Sequence, residues 1–485
     1  MSELHAQTVP YVRDTMLEQD LPPASERGAV KWVRENLFSG LLNTILTLLG
    51  VLAVFLLIKG ALPWWMNSVW NANSLAECRA AVVEMAGEGA SGACWAVLRE
   101  RWHQFLFGFY PRDMYWRPVL AFGLMFVALA PILFAGSRRN GMILLGSVTA
   151  ALLLSLVLLD GDFVHIGLIA LLMAGVLALA WTDAAKLIWV SLLYPAIAFW
   201  LLWGGSVWGP VTTLLGFVLL AAVYTLTLPR LGTVVATAVG FLLACLYWLF
   251  MREYLGTQFE NVLPFGLEFV DSDRFGGFLL ALTIGVTAIS ASLPIGILLA
   301  LGRRSDMFLV KTLSVGFIEF VRGVPLITML FTASLLLQYF LPPGTNFDLI
   351  LRVIILVTLF ASAYIAEVIR GGLAALPRGQ YEAADALGLD YWKAQRLIIM
   401  PQALKISIPG IVSSFIGLFK DTTLVAFVGL LDPLKGVTAI VRADINWKGI
   451  YWEPYIFVAA IFFVICFGMS RYSMYLENKL KTDHR

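Results

Sequence analysis

Three groups of ionisable residues interrupt a sequence that is otherwise strongly apolar, and each has the types and spacing for a definable chemistry. Lys420, Asp421, Thr422 and Thr423 in "GLFKDTTLVAF" place a cation, an anion and two hydroxyls in consecutive positions. A zwitterion asks for one cationic and one anionic contact with hydroxyl donors, which this set supplies. The same residues also suit an internally neutralised Lys–Asp pair that holds helices together, and the two roles are compatible. Glu367 and Arg370 in "AEVIRGG" are three apart, so they can pair on one helix face. Alternatively, Glu367 faces a pathway and meets a ligand ammonium. Arg322 in "FVRGVPL" precedes Gly323 and Pro325, which break helix regularity where backbone lines a cavity or packs on protein. Its guanidinium suits a carboxylate bidentately, and equally suits an anchor at one membrane face. An ionisable group in an apolar segment invites such readings because burying it unpaired costs several kcal/mol.

Catalytic chemistry finds no such foothold. No nucleophile–base pair, zinc or redox spacing, or phosphate-cradling G-x-x-x-x-G-K-[ST] loop is present, so no catalytic residue and no metal site is expected. The formal net charge of +2 is too small to suggest nucleic acid as a partner. Of four cysteines, Cys245 and Cys466 lie in apolar runs, while Cys78 and Cys94 share one loop.

The elements that position these groups are membrane spans. The chain has 485 residues, 60% hydrophobic and 14% charged, with mean hydropathy +0.82. Apolar runs of about 20 residues recur along its length, the pattern of an all-α polytopic membrane protein. About twelve transmembrane helices are expected, near 38–59, 117–135, 142–160, 163–182, 187–203, 209–228, 231–250, 276–302, 309–340, 347–371, 405–430 and 452–472. Residues 1–37 are polar, so the first span is expected to be an uncleaved anchor. Arg138 and Arg139, Lys186, Arg230, and Arg303, Arg304 and Lys311 fall in alternate connections. The positive-inside rule then makes both termini cytoplasmic.

The expected organisation is a cytoplasmic segment 1–37 and an N-terminal transmembrane extension 38–250 with a periplasmic loop 60–116. A periplasmic connection 251–275, a core 276–475 and a cytoplasmic tail 476–485 follow. In an oxidising periplasm Cys78 and Cys94 would close a disulfide, worth up to ~3 kcal/mol, the alternative being two free thiols.

Between the tenth and eleventh spans lies "YEAADALGLDYWKAQRLIIMPQAL", too polar for lipid and too well patterned for a slack loop. As one helix it puts Ala384, Leu387, Tyr391, Ala394 and Ile398 on one face and Glu382, Asp385, Lys393 and Arg396 on the other. Gly388 permits a bend, and Pro401 ends it. Such a helix either lies flat on the membrane or docks a partner.

The stretch resembles the EAA loop of bacterial ABC importer permeases: Glu382, Ala383, Ala384, Gly388, Ile398 and Pro401 fall in register, with Met400 where leucine is usual. Segments 276–305, 317–331, 362–384 and 415–432 resemble the polar amino-acid uptake permeases of the histidine, glutamine and arginine type. The long N-terminal region is similar to the larger permease subunits of general L-amino-acid systems. The resemblance implies a type I ABC importer transmembrane core in the C-terminal half, with an ATPase-coupling helix over 381–402.

It also implies the partners. These are a second homologous permease, a P-loop ATPase dimer that binds ATP and Mg while this chain binds no cofactor, a periplasmic amino-acid-binding protein, an L-amino-acid substrate, and the lipid bilayer. Glu367, Arg370, Arg322 and Lys420 to Thr423 become candidates for the substrate pathway. The rival expectation is a secondary transporter or channel driven by ion gradients. Nothing like "EAADALG" or "VRGVPL" recurs in the first half, so an internal repeat is unsupported.

The threading is tested by topology reporters. Fusions after Arg139, Arg230 and Arg304 should report cytoplasm and those near Ser91 and Gln258 periplasm. A cytoplasmic signal at Ser91 overturns it.

Overall fold

Backbone in lipid has no water to bond, so a spanning segment must satisfy its polar groups internally, as a helix does. The computed structural model describes residues 28–134, 137–340 and 347–480. The expected segments 1–27 and 481–485 lie outside the described residues. Helices dominate, and two compact units emerge, dividing after Ala96.

The first unit holds α1 (Gly28–Asn36), α2 (Leu41–Met66) and α3 (Leu75–Ala86). Helix α2 is apolar around its circumference and buries no residue, as suits a helix solvated by lipid. Beyond it Ser74 caps α3 by accepting from the Glu77 N–H, while the Glu77 carboxylate accepts from the Asn73 N–H at 2.8 Å. Cys78 on α3 is joined to Cys94, and Trp95 beside it is buried among Trp64, Trp65 and Trp70.

The second unit opens with α4 (Ala96–Phe107), then α5 (Trp116–Leu133), α6 (Arg138–Leu158), α7 (Phe163–Asp183), α8 (Ile188–Trp203), α9 (Trp208–Leu246) and α10 (Arg252–Val262). Gly232, with φ +73°, interrupts α9 and folds it into a hairpin. The Tyr247 hydroxyl donates to the Thr212 carbonyl at 2.9 Å, and Trp248 Nε1 to the Thr213 carbonyl at 3.1 Å. The two arms correspond to the expected spans 209–228 and 231–250. Next, β2 (Gly266–Leu267) pairs antiparallel with β1 (Gly205–Ser206). Arg117, almost fully buried, donates to the Glu268 carbonyl at 2.6 Å, tying this connection to α5.

The remaining helices are α11 (Gly277–Arg303), α12 (Phe308–Gly323), α13 (Leu326–Phe340), α14 (Leu349–Ala375), α15 (Arg378–Ala386), α16 (Tyr391–Ala394), α17 (Met400–Asp421), α18 (Pro433–Ala443) and α19 (Trp452–Leu480). The single long span expected over 309–340 is instead two helices, α12 and α13, bent by 100° at the break. Gly323 and Pro325 explain it, since proline removes an N–H and clashes with the preceding turn. Among the described residues ten helices are long and apolar enough to cross a membrane, or eleven with this bent pair. One of the ten is the run containing the Gly232 hairpin, which accounts for the difference from about twelve.

Small residues set the packing of these helices. A Cβ on Gly296 of α11 would collide with Ile365 of α14, one on Gly302 with Ser314 of α12, and one on Gly372 of α14 with Ser407 and Ala403 of α17. Lipid offers no hydrophobic drive between helices, so close backbone approach supplies the contact. One apolar cluster joins α5, α6, α7 and α8 to α11, α13 and α14; a second joins α11, α12, α14 and α17.

Helix α4 is fastened to the far end of the same unit. Arg101 pairs with Asp444, and Trp447, fully buried, donates its indole N–H to Glu100 at 2.8 Å. Gly108 bridges Phe275, and Gly276 bridges Leu431. On α4, His103 accepts from Arg112 and packs edge-on against Trp102. Burial first, then the Arg112 and Arg101 charges, push its pKa down to about 4. His103 is therefore neutral when folded and protonates near pH 6.5 when unfolded. Its stability contribution is complete above pH 6.5 and is lost as pH falls towards about 4. Thermal unfolding of the purified protein should accordingly shift to lower temperature over that window, and His103→Gln should flatten the shift relative to the parent.

Candidate functional site: coupling segment and arginine cluster

The polar stretch after α14 departs from a continuous helix over 381–402. Helix α15 stops at Ala386, and Gly388 takes φ +66°. The Leu389 N–H returns to the Ala384 carbonyl at 3.3 Å and the Gly388 N–H to Asp385 at 2.9 Å, the paired bonds of a Schellman stop. Asp390 then caps α16, accepting from the Lys393 N–H at 2.9 Å. That backbone bond, with the Lys393 ammonium, holds the Asp390 carboxyl below its ordinary range.

Past α16, residues Gln395–Ile399 form a wider π turn, and the Met400 N–H bonds the Gln395 carbonyl. Pro401 is the second residue of α17, directly after the π turn in a helical run that continues from Tyr391, so the proline expected to end the helix lies inside it.

The break resets the helical phase, and the expected apolar face does not survive it. Ala384 and Ala394 are buried and Ile398 is half-buried against the second apolar cluster, but Leu387 and Tyr391 are 71% and 53% exposed. Trp392 and Leu397 join them on the surface. Sequence reasoning missed these last two, although a tryptophan in so polar a stretch was their signal. Glu382, Ala383 and Gly388 are exposed as well, and nothing lies near the position a Gly388 Cβ would take. Gly388 is thus required by its left-handed backbone, not by a neighbour within this chain. Gln380 and Gln402, joined at 2.9 Å, tie α15 to α17.

Beside this segment the structure gathers Glu367, Arg370 and Arg322 together with two residues the sequence did not offer as site candidates, Arg303 and Glu319. Arg303 Nη1 lies 2.8 Å from both Glu367 Oε1 and Glu319 Oε1. The contact to Glu367 is an ion pair without hydrogen-bond alignment. Arg370 Nε donates to Glu367 Oε2 at 3.1 Å, and Arg322 Nη1 stands 3.5 Å from the same oxygen. One carboxylate, 15% exposed, thus serves three guanidinium groups and turns both oxygens toward arginine. Arg304, next in line, donates to the Tyr381 hydroxyl at 2.8 Å and to the Leu373 carbonyl at 3.3 Å.

Lys420, Asp421, Thr422 and Thr423 lie elsewhere. Thr422 contacts the region of Gly285, eighteen residues before Arg303 on α11, roughly 27 Å away along a helix. No ion pair joins Lys420 to Asp421, because adjacent helix positions do not face each other. The Thr422 hydroxyl donates to the Phe419 carbonyl at 2.7 Å and Thr423 to the Lys420 carbonyl at 2.9 Å, so both hydroxyls serve the turn that ends α17. Among the described residues no group of His, Cys, Asp and Glu is arranged to hold a metal.

Residues 292–482, containing the coupling segment and the arginine cluster, match the model for the binding-protein-dependent transport system inner membrane component. Along 98% of its length the chain is 62% identical to the glutamate/glutamine/aspartate/asparagine transport system permease protein BztC of Rhodobacter capsulatus, covering 99% of that protein. The chain belongs to the amino-acid ABC transporter permeases. A second relative over nearly full length is the inner membrane amino-acid ABC transporter permease protein YhdY of Escherichia coli, 36% identical over 95% of this chain and 96% of that one. The glutamate/aspartate import permease protein GltK of Escherichia coli is 31% identical and is covered over 99% of its length by only 47% of this permease. Membership in this family favours a permease subunit over the rival secondary transporter.

The two alanines of the coupling segment should separate its structural from its surface roles. Ala384→Leu forces a larger side chain into a closed site, costing about 1–3 kcal/mol and lowering the thermal midpoint. Ala383→Leu, on the exposed side, should stay within about 0.5 kcal/mol of the parent.

Proposed function

We propose that this permease carries L-amino acids inward across the bacterial inner membrane by alternating access, with α15 and α16 as the seat of a cytoplasmic P-loop ATPase. The observation that supports this most directly is the exposed apolar set Leu387, Tyr391, Trp392 and Leu397, held on a capped and tethered polar segment that leads into α17. Large apolar side chains on such a surface mark a protein contact. A lipid-facing helix would instead keep one continuous apolar stripe. The ATPase dimer supplies ATP and Mg, which this chain does not bind. A second permease completes the pathway, and a periplasmic binding protein delivers the substrate to it. Both termini are cytoplasmic.

The substrates are the acidic amino acids and their amides, by analogy with the transport system whose permease is BztC. Lys420 and Asp421 face the pathway shared with the second permease, since neither closes an ion pair among the described residues and an ionisable group in an apolar span calls for a partner; Lys420 suits the side-chain or α-carboxylate and Asp421 the ammonium. Glu367, already facing three arginines, works as part of a cytoplasmic-side ion network rather than as an ammonium site.

Co-expression with the partner subunits provides the test. Trp392→Ala and Leu387→Asp, both on the exposed set, should cut the ATPase recovered with the purified permease about tenfold or more while leaving the permease pair intact. A complex that keeps its full complement of ATPase with both substitutions present overturns the docking.

A further inference from the structure

We infer that Arg303 and Arg304 form a two-armed relay that links the coupling segment to the bend between α12 and α13. Resting on the ATPase docking proposed above, this assigns positioning roles to two consecutive residues at the end of α11. Arg304 reaches one way: its guanidinium donates to the Tyr381 hydroxyl at 2.8 Å, lies 5.4 Å from the Tyr381 ring centre, and bonds the Leu373 carbonyl. Tyr381 belongs to α15, the first helix of the coupling segment. Arg303 reaches the other way, to Glu367 of α14 and Glu319 of α12. Glu367 in turn meets Arg322, the penultimate residue of α12, directly before the 100° break. A displacement of α15 therefore has a continuous polar path to the bend: Tyr381, Arg304, Arg303, Glu367, Arg322.

Two features make this path a switch rather than a brace. First, the three arginines face only two carboxylates, and Arg322 is held more loosely than Arg303, 3.5 Å against 2.8 Å. From the same position Arg322 lies 5.8 Å from the Tyr364 ring centre on α14, so the ring face is at hand to hold the guanidinium when the ion pair opens. An ion pair that can be exchanged for a cation–π contact at small cost gives two arrangements of α12 against α14. Second, the end of α11 cannot yield on its own. Gly302 packs against Ser314 of α12, where a Cβ would have to displace the Ser314 hydroxyl, so this close contact couples the end of α11 to the middle of α12. Motion at Arg304 is then felt where the network is loosest, at Arg322.

The relay is tested in proteoliposomes containing the complete complex and its binding protein, by measuring ATP hydrolysed per amino acid imported. Tyr381→Phe removes the hydroxyl and keeps the ring; Arg303→Gln and Glu367→Gln remove single charges with little change in size. Each should raise the ratio about threefold or more with the ATPase still bound. Arg303→Lys, which keeps the charge facing Glu367 and Glu319, should stay closer to the parental ratio than Arg303→Gln at an equal thermal midpoint, a split that a purely structural role would not produce. If all three single variants hydrolyse and import at the parental ratio, the relay is wrong and the docking stands. If instead the parent complex carries no ATPase, the docking itself has failed.

Discussion

Helices in lipid gain nothing from hiding apolar surface from one another, and the organisation of this permease follows from that constraint. Association must come from backbones that approach closely and from polar groups that find each other. Gly296, Gly302 and Gly372 meet the first need, each at a crossing where a side chain would collide with the neighbouring helix. Glu367 meets the second, drawing arginines from α11, α12 and α14 to one point. The glycine crossings fix the positions of α11, α14 and α17. Gly302 also seats α12 on α11, and the shared carboxylate then ties the end of α12 to α14.

The coupling segment is an exception to the same constraint. It is a polar segment that leads into α17, so it can carry charge and expose large apolar side chains together. Its shape comes from local chemistry: a left-handed glycine, an aspartate cap and a π turn before Pro401. These devices hold a short segment in one conformation without a core of its own. Ala384, Tyr381 and the Gln380–Gln402 bond then attach it to the bundle.

Much of this was legible in the sequence, because fixed spacing and apolar length survive translation into structure. The spans were readable from run length, and Gly388 stood out as a position needing special backbone. The amphipathic wheel failed because it assumed one helical phase across Gly388, whereas the stop and restart shift every later residue. The span over 309–340 failed for a related reason, since apolar length alone does not register the break that Pro325 imposes. Lys420 and Asp421 looked like a pair by proximity along the chain, yet adjacent residues on a helix diverge. Arg303 and Arg304 were visible only as loop charges that set orientation. Their partners come from helices tens of residues away, and no local pattern announces such meetings.

The fastening of α4 has a consequence for how this protein can be divided. The family model matches residues 292–482 alone, and a relative such as GltK is matched by less than half of the chain. A shortened version beginning at the connection would therefore look sufficient by motif. Yet Trp447 gives its indole hydrogen to Glu100, Asp444 its charge to Arg101, and Gly277 packs under the Phe105 carbonyl. Removing the first half strips a donor, an acceptor and a backbone strip of the partners they were shaped around. Modularity in this permease holds for its motifs and ends at its folding.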